Sequence, residues 1–155
     1  MIAVQDIQTA VASQISAHPY LSGVSVISDN GLQMNAIEAA LGDRGNGVVV
    51  VVSFPTGSTA TDGANNLSVE DFGITVTIRV NAQRNSETTP AARPGAQKNL
   101  MLLLTAVREA VLSWPTPNQD RLGFRSTGCT FAWEIDGEVG YYVDFMIKAA
   151  FHEAA

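Results

Sequence analysis

From Val139 to Phe151 the chain alternates apolar and less apolar side chains for thirteen positions, and a strand that long sets the scale of any sheet it joins. Val139, Tyr141, Val143, Phe145, Ile147, Ala149 and Phe151 make one face; Tyr142, Asp144, Met146, Lys148 and His152 fall on the other. A period of two buries one face and leaves the other to solvent or a partner. Asp136-Gly137 just upstream is a turn signal, so this strand closes a hairpin. A two-residue loop would set Trp133 opposite Gly140 and Phe131 opposite Tyr142, scattering the apolar faces. A three-residue connection, Ile135-Asp136-Gly137 with Gly137 left-handed, sets Trp133 opposite Val139 and Phe131 opposite Tyr141. The second register is expected, with every odd-numbered side chain on one face.

The other elements follow from their own periods. Val4, Ile7, Val11 and Ile15 recur at helical spacing, and Pro19 ends that helix. Val24 to Ser28 reads as a short strand, and Met34, Ile37 and Leu41 share one face of a second helix. Val48 to Val52 is a run of valines, which fills both faces of a strand and calls for a central, deeply buried place. Ile74, Val76, Ile78 and Val80 alternate along a partner strand, Val69 to Ala82, that forms a long hairpin with it. Leu100, Leu103, Leu104, Val107, Val111 and Leu112 give the strongest helix a broad apolar stripe, which must pack on the sheet. The expected order is α-β-α-β-β-α-β-β, an α+β fold with a mostly antiparallel sheet and helices mainly on one face.

Composition narrows the function classes. A length of 155 residues with 46% hydrophobic content suits a single domain, 1–155. The first residues lack the basic region and apolar run of a secretory leader, and no stretch approaches the roughly 20 apolar residues of a membrane span. The lone Cys129 reads as a small buried hydrophobe on a strand. His18, His152 and Cys129 share no short spacing, so no metal site is expected. The glycines of 42–47 precede a strand instead of joining a strand to a helix, the wrong order for a phosphate loop. No G-x-S-x-G elbow occurs, and Asp136 and Glu138 flank a turn where acids are ordinarily solvated. No catalytic residue, cofactor or enzyme activity is expected.

Charge and loops point to assembly. The formal charge of −6 argues against a surface that grips nucleic-acid phosphates. Residues 83 to 125 nevertheless hold six of the nine basic residues against three acids, a local +3 that leaves −9 on the remainder. Segregation of that kind can register subunits in a head-to-tail oligomer. Two long polar stretches, 55–68 and 83–95, read as loops of a length that compact domains keep for functional segments. The candidate assembly contacts are Thr59, Thr61, Asp62, Asn65, Arg84 and Arg93 from these loops, with Tyr142, Asp144, Met146 and Lys148 from the even face of the last strand.

The whole layout resembles the tail terminator, or tail-completion, proteins of long-tailed bacteriophages. The resemblance is carried by the N-terminal helix running into His18-Pro19-Tyr20-Leu21-Ser22-Gly23-Val24-Ser25-Val26-Ile27, then a short helix, an apolar strand and a polar-tipped hairpin. The helix from Leu100 to Leu112 and the closing Gly140-Tyr141-Tyr142-Val143-Asp144-Phe145-Met146-Ile147 complete it. It implies a virion subunit that forms a homohexameric ring at the head-proximal end of the tail tube. Such a ring stops tube polymerisation, docks to the head-tail connector and lets DNA pass through its lumen without specific binding. The partners implied are the chain itself, the tube protein and the connector protein, with a sheath if the tail is contractile. A connector or stopper protein of the neck shares these requirements and stands as the alternative, as does a small oligomeric ligand-binding or enzymatic domain.

Overall fold

The computed structural model of the chain describes residues 4–41, 47–53, 56–62, 67–87, 98–113 and 121–152. Helix α1 (Val4–Ala17) leads through a 3-10 turn (Pro19–Leu21) to β1 (Ser25–Ser28), α2 (Met34–Leu41) and β2 (Val48–Val52). Then come β3 (Thr56–Asp62), β4 (Leu67–Asn81), α3 (Ala82–Glu87), α4 (Leu100–Leu112), β5 (Arg121–Ile135) and β6 (Glu138–His152). The strands form one sheet in the order β1-β2-β4-β6-β5, with β3 also paired to β4. Only the β1–β2 pair is parallel, so the sheet is mostly antiparallel and the fold is α+β.

The valines of β2 organise the layers. All five are buried. Val48, Val50 and Val52 join Val11 and Ile15 of α1 and Leu103, Leu104, Val107 and Val111 of α4 in the main core. Ile74, Val76, Ile78 and Val80 of β4 and Val143 and Phe145 of β6 complete it. Val49 and Val51 point the other way, into a smaller cluster with Ile37 and Leu41 of α2. Helix α2 is therefore the exception to helices gathering on one face. Gln8 of α1 is buried beside this core, and its Nε2 donates to the carbonyls of Asp29 at 2.8 Å and Val52 at 2.9 Å. That satisfies a polar group whose burial alone would be costly.

Loops and caps tie the helices to the sheet. His18 Nδ1 accepts from the Tyr20 amide at 3.1 Å, capping the 3-10 turn, which leaves Nε2 to donate to Glu109 of α4 at 3.0 Å. Asn99 caps α4 by accepting from the amides of Met101 and Leu102, and its own amide donates to the Tyr20 hydroxyl.

The stretch expected as a loop at 55–68 holds a strand. Strand β4 runs fifteen residues, about 50 Å at 3.3–3.4 Å per residue, whereas β2 covers only Val76 to Val80 of its length. The free edge that remains is taken by β3, paired from Thr56↔Gly73 to Asp62↔Leu67. Its threonines favour a pleated backbone as readily as a loop. The other expected loop, 83–95, begins as helix α3. Asn81 caps it, and Asn85 exchanges two hydrogen bonds with the backbone of Lys98 at 2.8 and 2.9 Å; residues 88–97 lie outside the described residues. Cys129 is exposed on β5, not buried, and Leu112 and Met34 stand out from the stripes expected to bury them.

The terminal hairpin corrects the register. Its loop is the two-residue Asp136-Gly137, both left-handed at φ 51° and 79°, the pairing of angles that suits a tight hairpin. Trp133 therefore sits opposite Gly140. A register shift between Trp133 and Phe131 then brings Phe131 opposite Tyr141, the pairing expected from the longer loop. The error lay in assuming unbroken alternation; β5 is irregular at three places along its length.

Phe145 is 1% exposed at the centre of the main core. Truncation in Phe145→Ala is expected to cost about 3–5 kcal/mol in urea unfolding. Phe145→Asp, which buries an unpaired charge there, should leave no cooperative transition at all. A Phe145→Asp variant with near-native stability would show that this face is not the core.

Candidate functional site

The face of the sheet turned away from α1 and α4 carries Tyr142, Asp144 and Met146 of β6. Helix α2 covers it over β1 and β2. Across β4, β6 and β5 it bears a row of three residues in register: Arg79, Gly140 and Trp133. Glycine is required in the middle. A Cβ at Gly140 would lie 2.5 Å from the Trp133 ring, so the indole lies across β6 where a side chain would otherwise stand. The Arg79 guanidinium then sits 5.6 Å from the centre of that ring, within cation–π range.

Carboxylates hold the arginine. Arg79 Nε donates to Glu138 at 2.6 Å, a short charge-assisted bond between two half-buried side chains. Glu38 of α2 approaches the same guanidinium at 3.8 Å and is mostly exposed. On the other side of the tryptophan, Tyr142 packs edge-on at 5.8 Å and 65°. Farther along β6, Asp144 accepts from the Thr75 hydroxyl at 2.7 Å. The result is a rigid, mixed aromatic and acidic surface. Among the described residues no three His, Cys, Asp or Glu side chains gather where they could hold a metal ion.

The expected contact residues distribute unevenly over this frame. Tyr142 is exposed, and Asp144 and Met146 are half-buried beside it on the same face. Lys148 continues that strand opposite Asp71 of β4. Thr59, Thr61 and Asp62 belong to β3, at the far end of the sheet from the row, opposite Glu70, Ser68 and Leu67. Arg84 lies on α3, half-buried, with its Cβ close beneath Gly47. Asn65 and Arg93 lie outside the described residues. Sequence patterning uses Trp133 only for register and expects Glu138 to be a solvated turn acid, whereas Glu138 is half-buried against Arg79; Arg79 and Glu38 carry no signal of their own. The signal was there in Gly140, whose small size invites an aromatic cross-strand neighbour, but the three-residue loop put valine opposite the tryptophan instead.

No protein-family model and no curated protein sequence matches the chain. Solved structures do. A chain in the virion of a native gene transfer agent particle aligns with 97% of this chain and 100% of its own length, at a TM-score of 0.57 and 16% identity. The fold is shared from end to end. At that identity the likeness concerns the arrangement of elements, and the side-chain row at Arg79, Gly140 and Trp133 is described for this chain alone.

Gly140→Ala is expected to expel the indole from its seat and cost about 1–3 kcal/mol, the range for overpacking. Tryptophan near-ultraviolet circular dichroism should change with it. A variant with wild-type stability and an unchanged spectrum would mean that the ring does not rest on Gly140.

Proposed function

We propose that this chain is a structural protein of a phage-like virion, a tail terminator whose ring caps the tail tube, stops its polymerisation and presents a face to the head-tail connector. The observation that carries the reading is the end-to-end likeness of fold to a chain of the gene transfer agent virion, with almost nothing left over in either chain. It agrees with the independent resemblance of the sequence to tail terminators. Long strands support the same reading: β4 and β6 pair at fifteen positions, whereas α4, at about 1.5 Å per residue, is only about 20 Å long. A sheet that outreaches its helices offers surface to neighbours. The acidic balance of −6 suits a lumen that DNA crosses without being held.

The test is polymerisation of tail-tube subunits with and without the purified chain, followed by electron microscopy. Hexameric rings seated at one end of shortened tubes are expected. Rings that bind the connector but leave tube length unchanged would assign the chain to the neck instead. Monomers that bind neither would sink the proposal.

A further inference from the structure

We propose that Asn30 is a site of autocatalytic deamidation, at which the turn before α2 converts asparagine into aspartate and isoaspartate with water as the only co-reactant. In this chemistry a main-chain nitrogen attacks the side-chain carbonyl of the residue before it. The nitrogen must be unhindered, a base must take its proton, and the carbonyl oxygen must be stabilised as charge develops on it. The segment Asp29-Asn30-Gly31-Leu32 holds one group for each task. Gly31 is exposed and has no side chain, and a Cβ there would meet nothing within 4 Å. Its N–H donates to Asp29 Oδ1 at 2.8 Å, which sets a carboxylate on the proton that has to leave. The Leu32 N–H donates to Asn30 Oδ1 at 3.2 Å, shared with Gln33 Oε1 at 3.1 Å, so a donor already faces the carbonyl oxygen.

The frame around the turn is held at both ends. The Asp29 N–H donates to the Val52 carbonyl at 2.8 Å, and the Asp29 carbonyl accepts from Gln8 at 2.8 Å. The Asn30 N–H donates to Gln33 Oε1 at 2.8 Å, and α2 beyond it packs on Val49 and Val51. Such preorganisation lowers the entropic part of an intramolecular barrier. Gly31 N bonds to Asn30 Cγ while its proton passes to Asp29. The Cγ–Nδ2 bond then breaks, and Nδ2 leaves as ammonia with that proton. Water opens the resulting succinimide at either carbonyl, giving aspartate or isoaspartate, the second with a main chain one carbon longer. Both products place a second carboxylate beside Asp29, and the longer one loosens the link from β1 to the helix that covers Val49 and Val51.

A second Asn-Gly pair, Asn46-Gly47, supplies the contrast. Gly47 is buried, and its N–H donates at 3.1 Å to the Ala40 carbonyl, an acceptor that cannot take the proton away. The full chain is incubated at neutral pH, and peptide mapping by mass spectrometry with fragmentation reads deamidation at each position. Residue 30 should react at least about tenfold faster than residue 46, and Asp29→Asn should slow it about tenfold at an unchanged melting temperature. That variant keeps an oxygen to accept from Gly31 N–H and removes only the base. In urea, with the turn unfolded, the two pairs should react at similar rates. Equal rates at 30 and 46 in the folded chain would overturn the proposal, as would an Asp29→Asn variant as fast as wild type. A rate difference that persists in urea would overturn it too, because flanking sequence and not the turn would then be its source.

Discussion

Burial of β2 on both faces is the constraint on which the architecture depends. Five consecutive valines leave no side of that strand fit for water, so each side of the sheet must be covered where β2 lies. Helices α1 and α4 supply one cover and α2 the other. The parallel β1–β2 pair follows, since the crossover that brings α2 over Val49 and Val51 returns the chain in the same direction. Gln8 links the two ends of this arrangement by binding the carbonyls where β1 and β2 finish.

Much of this was legible in the residues. The valine run, the Leu-rich helix and the alternation of Ile74 to Val80 each give period and burial directly, because burial of a whole face leaves a local, repeating trace. What was not legible depended on backbone irregularity. The two-residue turn sets Trp133 opposite Gly140, and one shifted residue between it and Phe131 then puts Phe131 on the opposite face, a break that period-two alternation does not show. The strand β3 was hidden for a different reason. Its Thr, Ser and Gly content is that of a loop, and only the surplus length of β4, visible once the sheet is assembled, gives it a partner. The candidate contacts followed suit: Tyr142, Asp144 and Met146 share the face inferred for them, while the arginine–tryptophan row that stiffens it required the register.

The two faces of the sheet thus differ in kind. One is a sealed apolar core capped by a helix whose back is itself greasy. The other mixes rings and carboxylates held in fixed geometry by Arg79 and Thr75. Preorganised side chains lose little freedom on contact with a partner.

Strand β6 is the last strand in chain order and yet lies inside the sheet, between β4 and β5. Its pairing with β4 joins residues as far apart as Leu67 and His152, so the loop to be closed spans more than half of the chain. Without that pairing β4 presents a fifteen-residue open edge. The arginine–tryptophan contact depends on the same closure, because Arg79 reaches the Trp133 ring only when β4 lies beside β6.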